Sequence, residues 1–104
     1  MIDESKIEEL KAKHGEIFTM EICGTGVAFR LPTEPEYFKC LGEGAKNPAA
    51  APKQVYDLAH KCVVYPSSAE FGALCSRRAG VGLKVGNEIL KIAGGEETEL
   101  AKKA

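Results

Sequence analysis

The stretch Gly26-Val-Ala-Phe-Arg-Leu-Pro-Thr-Glu-Pro-Glu-Tyr37 decides where this chain turns from strand to helix. Its first half places Val27, Phe29 and Leu31 at every second position, which is the period of a half-buried strand. Arg30 is the only charged side chain in this strand, and we expect it to face solvent or a partner protein. The first half therefore predicts one strand of a sheet.

The second half of the stretch predicts the start of a helix. Pro32 ends the strand, because proline has no backbone N–H to donate to a neighbouring strand. Thr33 and Glu36 have the spacing of a capping box, and Pro35 suits the first helical turn. The whole stretch is thus a strand, a sharp corner and a helix, and it contains no evident catalytic group.

The residues before this corner predict a helix followed by the other strand of a β-hairpin. Asp3 or Ser5 can cap the helix, and Ser5 and Glu8 are spaced as a second capping box. Residues 16–23 alternate in polarity and are rich in β-branched and aromatic side chains, as a strand requires. Residues 24–26 contain two glycines that can take positive φ, so we expect the hairpin turn there.

The residues after the corner predict four helices. The first ends near Gly42 or Gly44, and residues 45–52 form a loop of prolines and small residues that acts as a spacer or as a site that orders on binding. The fold class is therefore α+β: an N-terminal helix, a two-stranded β-hairpin and four helices packed on it. We expect one globular domain at residues 1–95 and a flexible, disordered charged tail at residues 96–104.

The last predicted helix, at residues 81–93, contains two glycines in its interior. Each glycine weakens a helix by about 1 kcal/mol relative to alanine, so its presence needs a reason. Gly82 and Gly86 lie one helical turn apart, which would let the helix pack closely against a neighbour.

The composition is that of an ordinary globular protein. The chain has 104 residues, of which 44% are hydrophobic and 28% charged, and its net charge is −1. This balance argues against a nucleic-acid-binding protein that relies on a strong positive surface. No apolar run is long enough to cross a bilayer, and the polar, acidic N-terminus is unlike a signal peptide. We therefore expect a cytoplasmic protein with neither membrane nor nucleic acid as a partner.

The cysteines are Cys23, Cys40, Cys62 and Cys75. They lie far apart and form no C-x-x-C pair that would indicate a zinc site. In a reducing cytosol we expect all four to be small buried hydrophobic side chains. Two alternatives stay open: disulfide bonds, and a metal site that combines distant cysteines with His14 or His60. His60 itself is expected at the surface, on the flank of its helix.

No pattern in the sequence predicts catalysis. There is no recognisable nucleophile with a base, no metal motif and no phosphate-binding motif, so we name no catalytic, cofactor-binding or metal-binding residue and expect no cofactor. The chain is expected to act by binding other proteins, not as an enzyme. The candidate partner-binding residues are Arg30, Tyr37, Tyr56, Tyr65, Arg77 and Arg78.

The tyrosines among these candidates could line an apolar groove for a helix of another protein, beside the loop at residues 45–52. Phe38 could contribute to the groove, but we expect it in the core of the domain. Arg77 and Arg78 could bind a phosphate or an acidic partner, although two cations at the end of a helix also stabilise the helix dipole.

Four sequence segments are more specific than the general patterns described so far. In order, they are Lys11-Ala-Lys-His-Gly15, Phe29-Arg-Leu-Pro-Thr-Glu-Pro-Glu-Tyr37, Ala59-His-Lys-Cys-Val-Val-Tyr-Pro66 and Arg77-Arg-Ala-Gly80. Together they resemble the tail assembly chaperones of long-tailed double-stranded DNA bacteriophages and prophages. The resemblance covers most of residues 10–93.

The resemblance implies a role without catalysis in the cytoplasm of a bacterial host. Such chaperones bind the long helical tape measure protein, keep it from aggregating and help recruit tail tube subunits. They act in several copies, so a homo-oligomer is a further expectation. Two alternatives stay open: a virion structural component, such as a tail or head–tail adaptor, and a small thiol- or metal-dependent enzyme that uses one of the four cysteines.

Overall fold

In the computed structural model, which describes residues 2–104, five α-helices surround a four-stranded antiparallel sheet. The elements are α1 (Glu4–His14), β1 (Ile17–Ile22), β2 (Thr25–Arg30), α2 (Glu34–Lys46), a 3₁₀ turn (Pro48–Ala50), α3 (Ala51–Cys62), β3 (Val63–Tyr65), α4 (Ser68–Arg77), α5 (Val81–Ala93) and β4 (Lys102–Lys103). The longest helices have 13 residues, and none in the described chain is long and apolar enough to cross a membrane.

The predicted α+β class is confirmed, but the prediction of a two-stranded sheet was wrong. The strand order is β3-β2-β1-β4. Val63 and Tyr65 of β3 pair with Phe29 and Ala28 of β2, with a bulge between the two pairs. Since Pro66 disfavours the α region for the residue before it, the end of α3 continues as an extended segment that can join the sheet.

The C-terminal segment was predicted as a disordered tail, and this was also wrong. Lys102 and Lys103 of β4 pair with Thr19 and Phe18 of β1. Ala101 is only 3% exposed, and the ammonium group of Lys103 lies 3.0 Å from the Glu16 carboxylate. The segment is short of apolar residues, as its sequence indicates, but backbone pairing along β1 gives it a defined position.

The hairpin of β1 and β2 is confirmed, although its turn lies earlier than predicted. Ile22 pairs directly with Thr25, so the turn consists of Cys23 and Gly24. Their φ values are 52° and 74°. Two positive φ values in a two-residue loop match the right-handed twist of the flanking strands, which is why this turn is favoured in hairpins.

Helices cover both faces of the sheet. On one face, side chains from β1 and β2 pack with buried residues of α2, α3, α4 and α5 in the main core. On the other, Leu10 of α1 packs with Ile17 and Ala28. The prediction of a half-buried strand was therefore wrong, since Val27, Ala28 and Phe29 are all 0% exposed.

The two predicted capping boxes have different outcomes. The box at Thr33 and Glu36 is confirmed at the start of α2, with both of its reciprocal hydrogen bonds present. The box at Ser5 is absent, because the residue that precedes α1 is Asp3 and Ser5 lies inside the helix. There the Ser5 hydroxyl donates to the Asp3 carboxylate at 3.1 Å.

The end of α2 and the following loop also differ from prediction. The helix continues through both Gly42 and Gly44 to Lys46. Residues 45–52 are not one loop: they include the end of α2, the 3₁₀ turn and the first residues of α3. Glycine lowers helix propensity only modestly, and the packing of α2 on α3 outweighs it.

Gly82 and Gly86 permit the close packing that the sequence predicts. They bring α5 against α3, where a Cβ at Gly82 would overlap the ring of Tyr56. A Cβ at Gly86 would lie 2.5 Å from the carbonyl oxygen of Val55. Both glycines are buried, so the contact between α3 and α5 depends on their lack of a side chain.

We predict that Gly86→Ala destabilises the protein by about 1–3 kcal/mol, because the added methyl group must push the backbone of α3 away. The matched control is Gly42→Ala on α2, where a Cβ would meet nothing within 4 Å. That substitution should stabilise by up to about 1 kcal/mol through helix propensity. Chemical denaturation of the two variants measures both effects, and equal stability changes would contradict the packing argument.

Candidate interaction surface

Within residues 2–104, one side of α2 carries the large hydrophobic side chains that are exposed. Phe38 is 61% exposed and Leu41 is 44% exposed, and no other large hydrophobic residue within residues 2–104 is exposed. They lie three positions apart, so they share one side of the helix. The prediction of Phe38 in the core was wrong, because only Cys40 of α2 is buried.

The same side of α2 continues beyond this pair. Glu34 and Ala45 are exposed at positions that extend the 38–41 spacing by one turn in each direction. We call Glu34, Phe38, Leu41 and Ala45 the outer face of α2. Tyr37 is half-buried at its flank and contacts Phe38 edge-on, with the ring centroids 5.6 Å apart.

The groove between α2 and α3 has a different character. It encloses about 560 Å³ and is open to solvent. Charged groups of both signs line it, namely Glu36, Glu43, Asp57, Lys39 and Lys61. Because an apolar helix side would have to desolvate these charges to enter the groove, the outer face is the better apolar contact surface.

Arg30 does not face solvent or a partner, contrary to prediction. Its guanidinium donates to both carboxylate oxygens of Glu36, at 2.9 and 3.2 Å. It also donates to the carbonyl oxygens of Leu31 and Lys61, at 3.1 and 3.3 Å. One side chain therefore joins the end of β2, the first turn of α2 and the last turn of α3.

Glu36 receives a further hydrogen bond from the backbone N–H of Thr33, at 2.8 Å. The hydrogen bonds from Arg30, followed by that from Thr33, lower the pKa of Glu36 from its ordinary 4.5 to about 2. The same contact raises the pKa of Arg30. The carboxylate is thus held ionised, and the orientation of α2 is fixed at its N-terminus.

The predicted aromatic groove is not assembled. Tyr37 lies on α2, whereas Tyr56 is half-buried in α3 against Gly82. Tyr65 lies on the opposite side of the sheet and packs on the cluster that includes Leu10. The three tyrosines belong to three different elements. Sequence spacing alone could not show that these elements hold them apart, because it does not give the relative positions of the elements.

Arg77 and Arg78 lie where the sequence places them, at the C-terminal end of α4. Both are exposed, and neither forms an ion pair within residues 2–104. Arg77 also lines a shallow pocket beside Gly24 of the hairpin turn. Their role in partner binding stays a prediction.

The prediction of buried cysteines holds for Cys40, Cys62 and Cys75, and it was wrong for Cys23, which is exposed in the hairpin turn. Burial raises the pKa of all three buried thiols, that of Cys62 to about 11. A thiol with such a pKa is protonated near neutral pH and is a poor nucleophile. No group of three or more potential metal ligands occurs among the described residues.

His60 was predicted at the surface, but its ring is packed between two aromatic rings. The ring centroids lie 4.6 Å from that of Tyr56 and 5.0 Å from that of Phe71. The Nε2 atom is buried and has no hydrogen-bond partner. Tyr56 lies one turn before His60 on α3, but Phe71 lies on α4, so no local sequence signal could have indicated the contact with Phe71.

The comparisons with known proteins give the fold. No protein-family model matches the sequence, and a search of curated proteins gives no significant match. A solved structure of an uncharacterised protein from Bacillus stearothermophilus is similar, with a TM-score of 0.71 and 21% sequence identity. The match covers 88% of this chain and 95% of that one. At this identity the likeness shows a shared fold.

We predict that Glu36→Gln lowers the free energy of unfolding by about 1–2 kcal/mol at pH 7, because the ion pair with Arg30 is lost, whereas a glutamine oxygen can still accept the hydrogen bond from the Thr33 N–H. The folded pKa lies below the ordinary value, so this stabilisation is complete above pH 4.5 and disappears as the pH falls through about 2. Denaturation curves between pH 7 and pH 2 measure the difference.

The control is Glu43→Gln, on the same helix but exposed and without an ion pair in the described chain. It should change stability by less than about 0.5 kcal/mol at any of these pH values. A difference between wild type and Glu36→Gln that does not shrink at low pH would refute the role of the ionised carboxylate.

We predict that His60→Phe raises the free energy of unfolding by about 1 kcal/mol, because it removes a buried nitrogen without a hydrogen bond and keeps an aromatic ring in place. His14→Phe, at the exposed end of α1, is the control and should have no such effect. Thermal denaturation at pH 7 distinguishes the two variants, and a lower melting temperature for His60→Phe would contradict the expectation.

Proposed function

We propose that this protein acts without catalysis, as a tail assembly chaperone of a long-tailed phage or prophage that binds the tape measure protein and helps recruit tail tube subunits. The observation that carries the proposal is the outer face of α2, where Phe38 and Leu41 are exposed side by side. The choice of the tape measure protein as the client rests on the resemblance of four sequence segments to that class of chaperones.

The outer face suits a helical client. Burying a side chain such as Phe38 or Leu41 contributes about 1.5–3 kcal/mol, so leaving both in water favours association with another apolar surface. An amphipathic helix presents a stripe of apolar residues three or four positions apart, which matches the spacing on α2. The same stripe causes such a helix to aggregate when it has no partner.

The outer face is also held rigidly. The contacts of Arg30 with Glu36 and Lys61 fix α2 relative to β2 and α3. The capping box at Thr33 fixes its first turn. A surface that is ordered before binding loses little conformational entropy when a client docks, which favours affinity.

The test is co-expression of this protein with the tape measure protein encoded in the same genome. The double variant Phe38→Gln with Leu41→Gln should lose most of its ability to keep the tape measure protein soluble, since the apolar contact is removed. Its melting temperature should stay close to that of wild type, because neither side chain belongs to the core. The measurement is the soluble fraction of the client after centrifugation.

The matched control is Ala69→Gln, an exposed position on α4. It should leave client solubility unchanged. If wild type itself fails to increase the solubility of the tape measure protein, or if the gene does not lie between those for the tail tube and the tape measure protein, the proposal loses its basis.

A further inference from the structure

Residues 96–104, which we call the strap, run from the end of α5 back to the edge of the sheet at β1. The reversal occurs at Gly95, whose φ of 93° is a conformation that glycine takes without strain. The backbone N–H of Glu96 donates to the carbonyl oxygen of Lys91 at 3.0 Å, as in a helix end closed by a left-handed glycine. Because α5 closes its own end in this way, the helix does not depend on the strap staying on β1.

Few contacts hold the strap in place. Beyond the two residues of β4, the backbone N–H of Ala104 donates to a carbonyl oxygen of β1 at 2.9 Å. Ala101 is buried but contributes a single methyl group, and Leu100 is half-buried on the main core. The ion pair of Lys103 with Glu16 is exposed, and exposed ion pairs contribute little to stability. A segment with so few buried groups is among the first to detach from a folded domain.

The edge of β1 extends beyond the strap. β1 runs from Ile17 to Ile22, whereas β4 pairs with Phe18 and Thr19. Hydrogen-bonding residues alternate along an antiparallel ladder, and Ile17 bonds to the strap, so Glu21 directs its backbone N–H and C=O to the same side. Within residues 2–104, no strand pairs with Glu21 on that side. An unpaired edge of this kind is a template for a strand of another chain.

A cavity with several apolar side chains adjoins the unpaired part of this edge. It encloses about 330 Å³ and is lined in part by Ile2, Ile7 of α1, Met20 of β1 and Leu100 of the strap. When a strand is added to a sheet, the backbone of the edge provides the hydrogen bonds, and adjoining pockets accept alternate side chains of the added strand. The edge of β1 has both of these features.

We propose that the edge of β1 binds an extended segment of another protein, and that the strap is the internal segment which this partner displaces. The partner strand pairs first with the backbone of Glu21 and then extends toward Ile17 as the strap detaches. The strap indicates the chemistry of the partner: a strand antiparallel to β1, with a small apolar side chain in place of Ala101 and a cation near Glu16 in place of Lys103. The site lies on the sheet, so the proposal is independent of the outer face of α2 and of the proposed function.

The first test uses the wild-type protein and two labelled peptides. One peptide has the sequence of residues 97–104, and the other is the same peptide with Thr98→Val and Glu99→Thr. In the strap, the Thr98 hydroxyl bonds with both backbone groups of Ala101 and closes a turn where the strap leaves β1. Without this turn the second peptide can pair as far as Ile22. Fluorescence anisotropy should therefore show it binding about tenfold more tightly than the first.

The second test weakens the strap. Ala101→Asp would bury a carboxylate without a partner, which the protein avoids by releasing the strap. Because binding then no longer has to displace the strap, both peptides should bind this variant about tenfold more tightly than they bind wild type. Lys103→Glu places two carboxylates together at Glu16 and should act in the same direction by a smaller factor, without a change in the core. The matched control is Ala69→Asp, at an exposed position of α4, which should leave peptide binding unchanged.

Hydrogen exchange shows where the peptide binds. The amide of Glu21 should exchange about tenfold more slowly in the complex with the second peptide, because its N–H then donates to the added strand. Glu21→Pro removes this donor and should abolish the advantage of the second peptide over the first. Proline is tolerated in an edge strand where the N–H would face solvent, and thermal denaturation checks that the variant still folds.

Any of three results would overturn the proposal. The first is that neither peptide binds Ala101→Asp or Lys103→Glu up to roughly millimolar concentration. The second is binding without slower exchange at Glu21. The third is dimerisation of Ala101→Asp without peptide in sedimentation velocity, since copies of this chain would then exchange straps and fill the edge themselves. The solubility assay with the variants of Phe38 and Leu41 would remain an independent test of the proposed function.

Discussion

The contact between Arg30 and Glu36 is the constraint on which the rest of the structure depends. Arg30 ends β2, Glu36 caps α2, and the same guanidinium reaches the carbonyl oxygen of Lys61 near the end of α3. Because the two carboxylate oxygens accept from two guanidinium nitrogens, the contact fixes orientation as well as distance. This pair thereby helps to fix the direction in which α2 leaves the sheet.

The exposure of the outer face has a second cause in the core. Gly82 and Gly86 allow α5 to lie directly against α3, and these two helices fill the main core together with α4 and one face of the sheet. That arrangement leaves α2 packed on α3 with Cys40 as its only buried residue. Phe38 and Leu41 therefore have no place inside the domain. The surface proposed for binding is a consequence of how closely α3 and α5 pack.

Much of the secondary structure could be predicted, because its signals are local. The capping box at Thr33, the alternation in the hairpin and the glycines of α5 each act within a few residues of the chain. The errors concern contacts between distant residues. β3 and β4 exist because other strands offer them hydrogen bonds, and the aromatic packing of His60 needs Phe71 from another helix. Of the candidate binding residues, Tyr37 alone lies beside the outer face, and Leu41 was not among them.

The sequence by itself determined the α+β class, the corner at Pro32 and the positions of most helices, since caps, prolines and periodicity bias the backbone locally. Only the tertiary structure decided which side of each element is buried. Alternation in β2 indicates one covered face, yet α1 covers the other as well. Phe38 is apolar enough for a core, yet it is exposed, because burial depends on which helices contact the sheet and how closely they pack.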